Sequence, residues 1–410
     1  MPAGPTQVAL AGAVALGAAI GIGRFAFTPL LPMMLSDRVI DLPSASWLAS
    51  ANYFGYLVGA LLCTFEPWLR RRVGRFGPVD APATVRAGLV ATVVLTLGMA
   101  VPAPVLWPLL RFLAGVASAL VFVYTSGWCL TQLARRHLSA RGALMYTGPG
   151  AGIALGGLAA SAMVAAHWSA ATGWLIFGAL AALLSAMIWR TLDTRRDLPP
   201  SVSVHEASVQ APAGASPRHG GLELGLHTLA YGLAGFGYII TATFLPVIAR
   251  QAIPGSRLLD LFWPIFGLGV TTGAWVASRL HSRGDLRLRL VACYLVQAIG
   301  IAVTLAFPGE AGFALGSLLL GLPFTIITFY AMQEVRRLRP TQVSSIIGLL
   351  TAVYGVGQII GPPLVAALVA HSTSVGAGFN ASLETAAAAL VLGALMYATM
   401  ARLFPLVRTS

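Results

Sequence analysis

Gly21-Ile22-Gly23-Arg24-Phe25-Ala26-Phe27-Thr28-Pro29-Leu30-Leu31-Pro32 decides how the chain is read. The stretch sits inside an apolar run from about Val8 to Leu35. Such a run crosses a bilayer as one helix, for which roughly 20 apolar residues suffice. An arginine near the middle of a membrane helix costs roughly 2.5–3.5 kcal/mol on insertion scales, so Arg24 is read as having a task. The same pattern returns 214 residues later, where Gly235, Gly237, Leu245 and Pro246 repeat Gly21, Gly23, Leu31 and Pro32 without a gap. The chain therefore reads as two similar halves. Tyr238 stands where the first half has Arg24, which suggests a site with two unlike walls.

The totals agree with a membrane chain. Of 410 residues 57% are hydrophobic and only 10% charged, and the mean hydropathy is +0.81. Soluble domains carry about 25% charged residues. Formal net charge is +13, and every basic residue is arginine. With heavy use of alanine and glycine, that points to a bacterial genome rich in G and C. Cys63, Cys129 and Cys293 lie in apolar segments, spaced for neither a disulfide framework nor a metal site. Residues 1–20 have no basic leader and the apolar run continues past them, so no cleaved signal peptide is expected.

Twelve apolar segments can be marked, at about 8–35, 45–65, 83–101, 105–131, 142–166, 171–190, 221–249, 258–279, 287–306, 311–334, 343–369 and 379–403. Alternation of the strand kind is absent, and helices are then the spanning structure that satisfies every backbone group in lipid. The expected fold class is an all-α membrane protein, twelve helices in two six-helix pseudo-symmetric bundles. Arginines orient it. The even-to-odd loops on one side, the stretch after helix six and the C-terminus hold 21 of them. The other side holds Arg38, Arg250 and Arg257. The positive-inside rule places the rich side and both termini in the cytoplasm of a bacterial inner membrane. The net charge is thus an insertion signal beside anionic lipid, and nucleic-acid binding is excluded as a reading. Residues 193–220, rich in Pro, Ser, Ala and charge, read as a flexible cytoplasmic linker between domains at 1–192 and 221–410.

Glycines mark packing faces. Gly148, Gly152 and Gly156 recur every fourth residue on helix five, beside Pro149. Gly357 and Gly361 do so on helix eleven, Gly17 and Gly21 on helix one, and Gly55 and Gly59 on helix two. Such faces let helices approach closely, with or without a ligand nearby.

Two six-helix halves in parallel repeat, joined by a cytoplasmic linker, resemble the major facilitator superfamily. Arg111-Phe112-Leu113-Ala114-Gly115 on helix four resembles its Arg-x-x-x-Gly motif. Gly148-Pro149 with Gly156-Gly157 resembles its glycine-proline motif, and Arg72-Val73-Gly74-Arg75 is a remnant of its 2–3 loop motif, without the aspartate. Gly21–Pro32, Phe244-Leu245-Pro246 and Tyr354-Gly355-Val356-Gly357-Gln358 resemble the YbfB-like branch. The resemblance implies secondary transport by alternating access, with helices 1, 2, 4, 5, 7, 8, 10 and 11 lining a midplane cavity.

Candidate solute contacts follow from helical spacing on those helices. They are Arg24, Phe27 and Thr28 on helix one, Asn52 and Tyr56 on helix two, and Tyr124 on helix four. The second half adds Tyr231, Tyr238, Trp263, Tyr330, Tyr354 and Gln358. Gly17, Gly21, Arg24, Thr28 and Leu31 share one face of a regular helix one. Arg111, His227, Gly148, Pro149 and Gly152 are candidates for coupling or gating. Each has a plainer reading. Trp263 and Trp107 lie where interfacial anchors are common. Arg111 is about 9 Å into helix four, close enough to snorkel outward. His227 could be a hydrogen-bonded helix residue rather than a proton relay. Arg24 could be satisfied by carbonyls and tyrosine hydroxyls.

No Walker glycine loop, metal-ligand cluster or intramembrane carboxylate pair is found, so an enzyme is not expected, nor any cofactor or metal. The reading is a monomeric carrier of a small solute in the lipid bilayer, with protons as candidate coupling ion. A small organic anion held by Arg24 is the leading solute. Efflux of amphipathic drugs and a receptor that binds without transport are the alternatives.

Overall fold

The computed structural model describes residues 4–73, 80–134, 144–192, 221–256, 258–279, 284–339 and 343–406. Twelve helices in it are long and apolar enough to cross a membrane. Helices one to six are Thr6–Ser36, Leu42–Glu66, Ala81–Gly98, Trp107–Cys129, Leu144–Ala165 and Ala170–Ile188. Helices seven to twelve are Gly221–Ala252, Leu259–Ala277, Leu286–Ala306, Glu310–Val335, Ile346–His371 and Val375–Leu403. Each falls within a few residues of an apolar segment in the sequence. Large apolar side chains such as Phe54, Leu62, Val94, Leu183, Leu295 and Leu395 point outward, the surface a bilayer requires.

The chain forms two compact units, Met1–Ser208 and Val209–Ser410. Residues 193–220, read as a linker, lie outside the described residues, as do Gly74 and Arg75 of the 2–3 loop remnant. Within the first unit, helix four packs along helices two and three, and helix five packs against helix one. Within the second, helix seven packs along helices eleven and twelve, and helix nine along twelve and ten.

Glycine makes the closest of these contacts possible. A Cβ on Gly21 would lie 2.5 Å from Cα of Gly152, and one on Gly148 would lie 1.9 Å from the carbonyl oxygen of Ala13. The glycine faces of helices one and five are thus pressed against each other, backbone to backbone. A Cβ on Gly115 would meet the Asn52 carbonyl at 2.1 Å, and one on Gly55 the Phe112 carbonyl at 1.9 Å, which joins helices two and four. The second unit repeats the device. Gly273, 214 residues after Gly59, meets the Leu322 carbonyl, and Gly321, 206 after Gly115, meets the Phe266 carbonyl.

Helix one departs from the regular helix expected. It runs as α-helix over Pro5–Leu16, as π-helix over Gly17–Ile22, through a turn at 23–26, and as α-helix again over Phe27–Ser36. The amides of Gly23 and Phe25 donate to the carbonyls of Ala18 and Ile20, five residues back, at 2.9 and 3.1 Å. The amide of Thr28 then turns to the Phe25 carbonyl, three back, at 3.2 Å. Pro29 and Pro32 have no N–H to restore the regular ladder. A Cβ on Gly23 would lie 2.7 Å from the Ala19 carbonyl, so the turn closes only on glycine. The single face from Gly17 to Leu31 is therefore split. Gly17 and Gly21 meet helix five, while Arg24 turns to helix two.

Candidate functional site

The break delivers Arg24 to the interior of the first unit, where it is only 5% exposed. Its guanidinium lies over the Tyr56 ring, 4.1 Å from the centroid, and 5.2 Å from that of Tyr53. Tyr53 and Tyr56 are three apart on helix two, hence on one face. Cation–π contact of this kind contributes about 0.5–2 kcal/mol when shielded from water. The site residues Arg24 and Tyr56 are thus brought together, and Tyr53 joins them. Sequence reasoning missed Tyr53; its i, i+3 spacing to Tyr56 is the signal that could have found it.

Arg111 turns inward, not outward. It is 2% exposed, and its Nη1 and Nη2 donate to the carbonyls of Gly23 and Arg24 at 3.3 and 3.0 Å. The Phe27 ring covers its guanidinium at 5.1 Å. Asn52 Nδ2 donates to the backbone carbonyl of Arg111 at 2.9 Å. Phe27 and Asn52 thus sit on Arg111, and Thr28 is buried in the first turn of the helical segment that follows the break. Tyr124 is buried too, but lies thirteen residues past Arg111 on helix four, roughly 20 Å along its axis.

The second unit gathers an aromatic group. Tyr231 and Tyr354 stack at 4.7 Å, and Tyr238 lies 4.8 Å from Phe324 and 5.8 Å from Tyr354. Gln358 Nε2 donates to the Tyr238 hydroxyl, and the Tyr231 hydroxyl donates to Thr328 at 3.3 Å. Tyr330 is drawn aside by Arg289, whose Nη1 donates to its hydroxyl at 3.3 Å. Trp263 is 2% exposed and stacks on Phe266 at 5.0 Å, and Trp107 is buried with Nε1 donating to the Val101 carbonyl at 3.0 Å. Neither indole is the lipid-facing anchor that its place in the sequence suggested. Each is covered by its own unit.

His227 is fully buried with both ring nitrogens engaged. Nε2 is 3.2 Å from the Ala331 carbonyl and must carry the proton to bond there. Nδ1 then accepts from the Tyr397 hydroxyl at 3.0 Å. The ring ties helices seven, ten and twelve together, which is the plainer of its two readings.

One cluster was not assembled from the sequence. Arg287 is fully buried, paired with Glu223 at 3.1 Å and Asp285 at 2.8 Å, and it donates to the carbonyls of Met400 and Phe404. Arg337 pairs with Glu223 and Glu334. Burial pushes Asp285 up, but the hydrogen bonds and charge of Arg287 outweigh it and hold the carboxyl below its usual value. Burial would also lower Arg337, yet Glu334 and Glu223 raise it instead. Arg287→Ala takes a partner from Glu223, Asp285 and Glu334, the last 3.9 Å away, and breaking a buried pair costs about 3–5 kcal/mol. The expected result is a marked fall in melting temperature. Because Asp285 is depressed, its own stabilising share is complete above the unfolded pKa of about 4 and is lost as pH falls below it. An unchanged melting temperature in Arg287→Ala at neutral pH would contradict the pairing. Among the described residues no group of three His, Cys, Asp or Glu side chains is placed to hold a metal.

Residues 16–398 match the family model described as "Uncharacterised MFS-type transporter YbfB". No curated protein matches the chain by sequence. A mutant of the nucleoside transporter NupG superposes with a TM-score of 0.72 at 16% identity, over 96% of this chain and 99% of that one. Another NupG crystal structure gives 0.65 at 15% identity, over 97% and 98%. At such identities the likeness bears on the fold alone.

Proposed function

The chain belongs to the major facilitator superfamily, in its YbfB-type branch, and from that premise we propose that it carries a small organic anion by alternating access, with the solute's carboxylate seated on Arg24. It is a multi-pass membrane transporter. The observation that carries the solute class is the guanidinium of Arg24, buried near the middle of helix one over the rings of Tyr56 and Tyr53. A guanidinium is the side chain whose planar set of N–H donors matches a carboxylate. Glu223 and Glu334, the acids near the ends of helices seven and ten, are committed to Arg287 and Arg337.

A nucleoside is the second reading. NupG is a nucleoside transporter by name, and the stacked Tyr231, Tyr238 and Tyr354 with the Gln358 amide would suit a planar heterocycle. A thermal-shift screen separates the two. Each carboxylate is paired with its neutral amide, and nucleosides run alongside. A ligand present at 100 times its Kd stabilises the folded state by about 2.7 kcal/mol. A rise with one or more carboxylates and none with their amides is expected. A rise with nucleosides alone favours the second reading and removes the first.

Both termini and residues 193–220 are proposed to be cytoplasmic, in a bacterial inner membrane, with 193–220 a flexible linker and the protein a monomer. Single cysteines at His205 and Glu310, in a chain freed of its own three, should label from opposite faces of the membrane. Labelling of both from outside the cell would defeat the twelve-helix orientation.

A further inference from the structure

We infer that Arg111 is a built-in cation for the break in helix one, a positioning residue that fixes where Arg24 stands. The inference holds whatever solute Arg24 receives, so it does not rest on the carboxylate reading. The argument begins with the backbone. In a regular helix the Arg24 carbonyl accepts from the Thr28 amide, but here that amide bonds Phe25. A carbonyl released at the end of a half-helix carries partial negative charge and is costly to bury unpaired. Discontinuous membrane helices commonly meet this with a bound inorganic cation. Here the cation is covalently attached to helix four. One guanidinium spans the Gly23 and Arg24 carbonyls through separate nitrogens, at 3.3 and 3.0 Å.

The surroundings keep it there. Phe27, just past the break, covers the guanidinium's face. Gly115 lets the helix-two backbone close in, since a Cβ there would meet the Asn52 carbonyl at 2.1 Å. That approach brings Asn52 Nδ2 onto the Arg111 carbonyl. The Arg-x-x-x-Gly spacing thus has a mechanical meaning: the arginine pins helix one, and the glycine one turn on seats helix two against the same point. An arginine does not give up its proton in a protein, so this cation stays through the cycle, and no coupling ion need enter at the break.

Hydrogen exchange read by mass spectrometry on the full chain tests this, using Arg111→Ala, the neutral but polar Arg111→Gln, and the conservative Arg111→Lys. In Arg111→Ala the amides of residues 22–28 should exchange about tenfold faster or more, the loss of a charge-assisted hydrogen bond. The rest of both units should keep wild-type protection. Low-millimolar guanidinium should restore protection at 22–28, urea should not, and Arg111→Lys should lie between. If Arg111→Ala does not fold, Arg111→Gln carries the same comparison. Exchange that rises evenly across the first unit, stays at wild-type rates at 22–28, or ignores guanidinium would overturn the inference.

Discussion

Arg24→Ala is expected to abolish solute binding while leaving the protein close to the wild type in stability. The two halves of that result follow from opposite sides of one ledger. Truncating one partner of a buried, hydrogen-bonded charge pair costs about 2–5 kcal/mol of affinity, roughly 30-fold to several-thousand-fold. The folded apo protein faces the reverse sign. A central arginine costs roughly 2.5–3.5 kcal/mol on insertion scales. Its cation–π contacts with Tyr53 and Tyr56 return about 0.5–2 kcal/mol and its hydrogen bond with Tyr56 about 1.5–3 kcal/mol, so the two sides nearly cancel and removing it should change stability little. Arg24→Lys should weaken binding by an intermediate amount, because an ammonium keeps the charge and loses the fork. The check is a binding isotherm and a melting curve on the same preparation. Retained affinity in Arg24→Ala would end the carboxylate reading, and a large fall in melting temperature would make Arg24 a structural residue.

Gly152→Leu is expected to yield little or no monodisperse protein. Its Cβ would lie 2.6 Å from the Gly17 carbonyl oxygen and 2.9 Å from Cα of Gly21. Every obstacle there is backbone, so no side chain can swing aside. Ordinary overpacking costs about 1–3 kcal/mol because side chains yield, and this site lacks that relief. The disturbance also reaches Arg24, three residues beyond Gly21. Gly225→Leu is the control, since nothing lies within 4 Å of a Cβ at that position. Size-exclusion profiles of the two variants decide the matter. Wild-type yield and shape from Gly152→Leu would mean that helices one and five do not meet at these glycines.

How far the sequence could be read depended on the range of the interaction. The twelve spans were legible because hydropathy over about 20 residues is a local property, and the structure's spans fall on those segments. The glycine faces were legible as faces, but which helix each would meet was not, since that depends on the fold. The stretch from Gly21 to Pro32 stood out for its repeat and its arginine. Its break did not, because apolar composition is blind to a ladder that slips from four residues to five and then to three. Arg111 had two directions open to it from one backbone position. Only the freed carbonyls of Gly23 and Arg24 decide between them. Glu223, Arg287 and Arg337 each lie near an end of a different helix. The pairs among them join residues 64 and 114 apart, a separation no local pattern reports.

The central claim is that this chain moves an anion that Arg24 holds. Flux into proteoliposomes tests it most directly, with a labelled carboxylate chosen from the thermal-shift screen. Saturable, protein-dependent accumulation is expected from the wild type, with none of its neutral amide moved. Arg24→Ala, reconstituted to the same density, should move neither. Binding without flux in the wild type, or undiminished flux through Arg24→Ala, would contradict the account.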